Sequence, residues 1–181
     1  MGSAYQIRDQ GQVYFCTFQV VGWVDIFTRR EYRDFMLDSF RYCRQEKGLE
    51  LFSYVIMSNH VHVIVRSKTG ALSDTIRDLK KHTSRQMRHF ALNSNKESRR
   101  DWLKVVFEYH AKFNKRVDSF QLWTHENHAV ELTSNEMIDS RMNYIHENPV
   151  RAGLVEKPED YLYSSARSYS GIVGLIPIDH I

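Results

Sequence analysis

Residues 49–66 constrain the fold more than any other stretch of the chain. Leu49–Met57 reads as one strand, Ser58-Asn59 as a tight connection, and His60–Arg66 as a second strand with strict alternation. Two strands joined so tightly pair antiparallel, which commits the chain to a sheet. Alternation then sorts the second strand by face: Val61, Val63 and Val65 point one way, into a core, and His60 and His62 the other.

The flanking sequence supplies the rest of a sandwich. Gln12–Val20, rich in β-branched and aromatic residues, is predicted as a strand. From Arg30 to about Lys47, apolar residues recur at helical spacing (Phe35, Met36, Leu37, Phe40, Cys43), and Gly48 supplies the stop. Ser73 is placed to cap a helix running to about Asn93, with Leu72, Ile76, Leu79, Thr83 and Met87 on one side. A polar break follows at Asn93–Ser98; Trp102, Val105, Val106, Tyr109 and Phe113 then suggest a short amphipathic helix, succeeded by a polar loop. His128–Leu132 reads as a fourth short strand. Thr133 and Glu136 form a capping-box pattern for a helix to about Glu147, which Pro149 is expected to end. Beyond it, Gly153, Pro158, Gly171, Gly174 and Pro177 predict turns and extended segments.

The order β-α-β-β-α-insert-β-α predicts an α+β fold: a ferredoxin-like split βαβ sandwich with an antiparallel sheet. Helices are expected on one face, leaving the opposite face, or a cleft beside it, available for a ligand. Residues 1–181 form a single domain, with 94–122 as an insertion and 166–181 as a tail. A 42% hydrophobic and 26% charged composition over 181 residues fits one globular domain and excludes disordered, collagenous and disulfide-stapled classes. Cys16 and Cys43 form neither a metal-ligand pair nor a disulfide framework. With no secretory signal and no membrane-length apolar run, a soluble, cytoplasmic protein is expected.

Net charge is only +3, but it is unevenly spread. Residues 66–116 carry 14 basic and 5 acidic side chains, whereas residues 117–181 carry 4 and 10. A basic middle suggests a polyanionic partner. Within it, Arg77, Lys80, Lys81, Arg85 and Arg88 step at helical spacing into a ridge that could neutralise phosphates, although a solvated helix face would look the same.

Two further constellations could carry chemistry. His60 and His62 share a strand face and can reach one metal ion, although nine histidines in this chain give roughly 0.4 His-x-His matches by chance. Tyr144 and Asn148 are neighbours one turn apart on the last helix, beside a buried stripe of Ile138, Met142 and Ile145. A flanking tyrosine is most often partial core; a catalytic one needs an electrophile, which a metal-bound phosphate supplies. His125-Glu-Asn-His128 reads as loop running into strand rather than as a zinc site.

At these residues the chain resembles a known family. Tyr54-Val-Ile-Met-Ser-Asn-His-Val-His-Val-Ile-Val65 resembles the HUH signature of single-tyrosine transposases. Tyr144-Ile-His-Glu-Asn-Pro-Val-Arg-Ala-Gly-Leu-Val155 looks like the nucleophile segment of their REP-associated branch (repetitive extragenic palindromes). Asp160-Tyr-Leu-Tyr-Ser-Ser165 resembles that branch's trailing motif, and the segment from Leu72-Ser73 to Lys81 its basic helix. Ser58 stands where a proline is common, and residues 94–122 look longer than usual.

The resemblance implies a nuclease that cleaves and rejoins single-stranded DNA, with hairpin or palindromic repeats as partner. His60, His62 and Asn148 would bind a divalent metal, Mg²⁺ or Mn²⁺, and Tyr144 would be the nucleophile. A free tyrosine is only about 0.1% ionised at pH 7, a deficit that a polarised phosphate offsets. Attack would leave a 5′-phosphotyrosine whose reversal joins a new strand without ATP. Whether tyrosine and histidines meet within a monomer or across a homodimer is open from the sequence. The competing readings are a non-catalytic nucleic-acid-binding module on the same sandwich, and a metal-dependent phosphoester hydrolase using water.

Overall fold

The computed structural model describes residues 6–114 and 119–181. Strand β1 (Tyr14–Gln19) leads through two 3-10 turns into α1 (Arg30–Glu46), β2 (Leu49–Ile56) and β3 (His60–Ser67). Then come α2 (Leu72–Asn93), α3 (Arg100–Lys112), β4 (Val130–Glu131), α4 (Asn135–Arg151) and the short α5 (Ala166–Tyr169). The sheet order is β2-β3-β1-β4, antiparallel throughout. This is the α+β, ferredoxin-like split βαβ sandwich that the element order predicts.

The sheet has an apolar layer on each side. Tyr14, Cys16 and Phe18 of β1 join Val61, Val63 and Val65 of β3 against Met36 and Phe40 of α1 and Ile76, Leu79 and Met87 of α2. On the other side, Phe15, Val55 and Ile64 pack with Ile138 and Ile145 of α4. The expectation of helices on one face alone is therefore corrected. That second face carries too many large apolar groups to stand in water, and the stripe of α4 covers it. At the margin of this layer Phe15 and His62 are buried and Tyr144 is half-buried.

Local details differ from the sequence reading in instructive ways. Ser134, not Thr133, caps α4: its Oγ accepts from Met137 N at 3.3 Å. Ser73 does not cap α2, which starts one residue earlier, at Leu72. Pro149 lies inside α4 rather than ending it. The helix stops two residues later in a Schellman closure, with Leu154 N donating to Pro149 O and Gly153 N to Val150 O. Gly153 supplies the left-handed φ of +69° that this closure requires. The missing N–H of Pro149 removes one bond from a turn whose remaining carbonyls are satisfied this way.

Residues 100–112 do form a helix, but it buries the other face: Leu103, Phe107 and Ala111 point inward, while Trp102, Val105, Tyr109 and Phe113 are exposed. The polar loop expected next falls partly on residues 115–118, outside the described residues. The 166–181 tail is integral. Ile176 is buried in the main core, and Asp179 accepts from Leu51 N and from both Arg44 Nε and Nη2. Tyr163–Ser165 zips onto the outer edge of β2, with Ile56 N donating to Tyr163 O and Ser165 N to Tyr54 O, both at 2.9 Å. An otherwise bare sheet edge is thereby covered. Both cysteines are free and buried, and no helix among the described residues is long and apolar enough to cross a membrane.

Candidate active site

The two strand histidines come together at the start of β3, on the face turned toward α4. Their ring centroids are 4.6 Å apart. Register places Thr17 of β1 directly opposite His62, and Thr17 Oγ1 lies 2.8 Å from His62 Nδ1. His60 Nδ1 lies 2.7 Å from Asn59 Oδ1. An amide oxygen only accepts, so His60 Nδ1–H donates, and the lone pair of the neutral ring sits on Nε2. Thr17 permits the same tautomer for His62. Burial lowers the pKa of both imidazoles; His62 is pushed down to about 3, with His60 and Arg141 adding to the effect. Both rings are therefore neutral at pH 7 and carry Nδ1 partners of the kind that orient metal-binding imidazoles.

Helix α4 lays Tyr144 over this pair. Its ring centroid is 5.3 Å from that of His62 and 6.0 Å from that of Phe15, which itself stacks on His62 at 5.3 Å. Ile138 and Ile145 hold the helix down, and Tyr144, on the flank of that stripe, is half-buried. Asn148 is one turn further on, also half-buried. Two arginines missed in the sequence reading complete the arrangement. Arg151 stands 5.7 Å from the centre of the Tyr144 ring, and Arg141 stands 5.1 Å from that of Phe15. Their spacing, 141–144–148–151, is one helix face and was visible in the sequence; the acidic balance of the C-terminal third obscured it.

A buried polar knot fixes the roll of α4 on the sheet. His146 Nε2 lies 2.9 Å from Ser165 Oγ and 3.2 Å from Ser53 Oγ, and the two hydroxyls are 3.0 Å apart. Tyr54 N donates to Ser165 Oγ. Burial pushes the His146 imidazole down to about 4, so the knot is neutral at pH 7. A bulge between Leu51 and Ser53 turns Ser53 toward α4. The trailing segment thus acts on the helix that carries Tyr144.

The donor set for a metal is spare. Among the described residues, no cluster of three His, Cys, Asp or Glu side chains could hold an ion. Two neutral imidazoles and an amide would by their chemistry nonetheless suit a labile divalent ion.

The basic helix is on the other side of the sheet from Tyr144. Lys81, Arg85 and Arg88 are exposed, with Arg88 over the Phe120 ring. Arg77 is engaged by Asp74 and Asp78. Lys80 leaves the ridge altogether: its half-buried side chain turns inward, and Nζ donates to Thr124 O and Asn127 Oδ1. Thr83 accepts from the Trp123 indole, and Trp123 bridges to Val20, so the C-terminal half of α2 lies at the His60 end of the sheet.

The chain belongs to the family described as Transposase IS200 like, which it matches over residues 20–148, a stretch containing His60, His62, Tyr144 and Asn148. Among solved structures, it is similar to a REP-associated tyrosine transposase bound to a REP hairpin. That match covers 100% of this chain and 92% of the other, at 17% identity and a TM-score of 0.67. A candidate transposase from Deinococcus radiodurans R1 matches at 20% identity over 82% of this chain and 95% of that one, with a TM-score of 0.47. Comparison with curated proteins gives no match.

Proposed function

We propose that this transposase-family chain is a single-tyrosine HUH nuclease and strand transferase acting on single-stranded DNA, with the whole site built within one chain. The observation that carries the proposal is the 5.3 Å approach of the Tyr144 and His62 rings, both belonging to one chain. The Tyr144 hydroxyl oxygen attacks a backbone phosphorus, the Oη–P bond forms and the P–O3′ bond breaks. The phenolic proton is lost to solvent, and the departing 3′ oxygen takes one up. The products are a 5′-phosphotyrosine and a free 3′-hydroxyl, and the reverse step rejoins DNA because the ester is exchanged rather than hydrolysed.

His60, His62 and Asn148 would hold a divalent ion, Mg²⁺ or Mn²⁺, which would polarise the scissile phosphate. Arg141 and Arg151 bind the adjoining phosphate oxygens at the same face. The packing of Tyr144 against Phe15 and His62 holds the nucleophile in line rather than letting it sweep through solvent. The solved neighbour is bound to a REP hairpin, which supports a hairpin-bearing single strand as substrate.

The test is incubation of a labelled single-stranded oligonucleotide carrying a hairpin with Mg²⁺ or Mn²⁺, followed by denaturing electrophoresis. Wild type is expected to give a denaturation-resistant adduct. Tyr144→Phe is expected to lose it entirely while retaining oligonucleotide affinity within about twofold, since only a hydroxyl is removed. An undiminished adduct in that variant, or cleavage with no adduct in wild type, would sink the proposal.

A further inference from the structure

One group of side chains is left unexplained by the site: an aromatic surface on the insertion. Trp102, Val105, Tyr109 and Phe113 recur at helical spacing along the outer side of α3, with Phe113 74% exposed. The 3-10 turn Val21–Trp23 extends this stripe. Gly22 sits so close to α3 that a Cβ there would lie 2.9 Å from His110 Nε2 and 3.7 Å from Val106 Cγ1. The next residue, Trp23, takes a left-handed φ of +56° and is 69% exposed. A bulky side chain rarely adopts that conformation, so the turn holds an indole in solvent against local preference.

This surface connects to the candidate active site. Trp23 O accepts from Asn59 Nδ2 at 3.4 Å, and Asn59 Oδ1 is the partner of His60 Nδ1. Two of the stripe's rings, Trp102 and Tyr109, lie on α3 and Phe113 follows at its C-terminal cap, with the exposed Trp23 indole on the neighbouring 3-10 turn. Aromatic rings beside exposed cations offer π-faces on which unpaired bases stack. Lys112 is exposed beside the stripe and Lys104 is exposed further round the helix. Asp101 and Glu108 share that flank, so the positive excess comes mainly from the adjoining α2, through Lys81, Arg85 and Arg88.

We infer that Trp23 and the outer face of α3 form a stacking platform for unpaired bases of the DNA strand leaving the Tyr144 site, with Lys81, Arg85 and Arg88 following its backbone. This inference rests on the proposed function and assigns a path to its substrate. The strand passes around the His60 end of the sheet, from the α4 side to the α2–α3 side.

The experiment uses the full chain carrying Tyr144→Phe, so that no covalent capture intervenes, with a short unstructured single strand and a blunt duplex of the same sequence. The protein has three tryptophans, of which Trp123 is buried, so quenching of intrinsic fluorescence reports on Trp23 and Trp102. Single strand is expected to quench the emission. Trp102→Ala combined with Phe113→Ala is expected to weaken single-strand affinity by roughly tenfold or more, with Trp102→Phe restoring most of it and duplex affinity unchanged. These positions are exposed, so circular dichroism should show an unaltered fold.

Unchanged single-strand affinity in the double variant, with the adduct of the Tyr144-intact protein still forming, overturns the platform and leaves the proposed function standing. Absence of any adduct in wild type fails the proposed function instead. Self-association in sedimentation that the same substitutions abolish, with oligonucleotide affinity intact, assigns the face to a second copy and overturns the inference.

Discussion

Lys80 belongs by spacing to the ridge of Arg77, Lys81 and Arg85, yet it also borders the buried stripe of Ile76, Leu79 and Thr83. Its partners, Thr124 and Asn127, come more than forty residues later, so nothing local decides between the two roles. Burial pushes its ammonium down from 10.5 to about 8, while two accepting oxygens keep the proton in place at neutral pH. Between about pH 8 and 10.5 the unfolded chain holds more protons at this site than the folded one, so its contribution to stability rises with pH. Below pH 8 the penalty is present in full, about 3 kcal/mol at most. Cys16 faces the same region, and burial raises its thiol to about 12, which lowers stability above its ordinary value near 9. Comparison with Lys80→Met removes that contribution. The unfolding free energy from urea titration, wild type minus variant, is expected to be about 2 kcal/mol more favourable to wild type at pH 10 than at pH 7; a pH-independent difference would refute the shifted lysine. The faces that carry Tyr144 and His62, by contrast, were legible because alternation and helix spacing are local rules, although Tyr144 was singled out by the family resemblance and by spacing alone reads as partial core.

Helix α4 is positioned by elements the periodicity does not describe. Its apolar residues say that it packs; the His146–Ser53–Ser165 knot says at what roll. Ser165→Ala is expected to lower stability by about 1–3 kcal/mol, because Tyr54 N and His146 each lose a buried partner. The same variant should slow adduct formation with little change in oligonucleotide affinity, and a fully retained rate would show that the knot does not position Tyr144. At the helix end, Gly153→Ala forces a Cβ into a φ of +69° and should cost about 1 kcal/mol, read from a thermal midpoint. The Pro149 stop was misread because a proline marks only its own missing N–H, while the Schellman closure depends on three residues after it. Helix α3 failed differently. It carries two apolar stripes, Leu103–Phe107–Ala111 and Trp102–Val105–Tyr109–Phe113, and periodicity alone cannot choose between them. The smaller stripe won because it meets Phe120 and the main core.

For the whole molecule, topology was the most legible property, since the order of strands and helices admits few antiparallel arrangements. Charge was the least legible. The acidic C-terminal third contains Arg141 and Arg151, which the fold gathers at the Tyr144 face, although the same helix also carries Glu136, Asp139 and Glu147. A sum over sequence segments does not see that placement. Two positive zones therefore flank the His60 end of the sheet, one on α4 and one on α2. Lys81→Glu with Arg85→Glu should weaken single-strand binding and reduce the slope of log affinity against log salt by about 1.4, two phosphate contacts' worth. Arg141→Gln should change that slope by less than one unit yet slow adduct formation about tenfold, as expected of a charge that acts on the reacting phosphate. Equal effects of both variants on binding and rate would place the two zones in a single undivided surface.

The zipper of Tyr163–Ser165 along the edge of β2 has a consequence in time. A ribosome releases His60 and His62 long before Tyr144, and Tyr144 before Ser165. The sheet can form with its imidazoles in place, and α4 can settle on it, while Ser53 and His146 still await their third partner. The orientation of Tyr144, the proposed nucleophile, is thus completed late. On the proposed function, a nascent chain that already grips a strand would remain a poor cutter until Ser165 arrives.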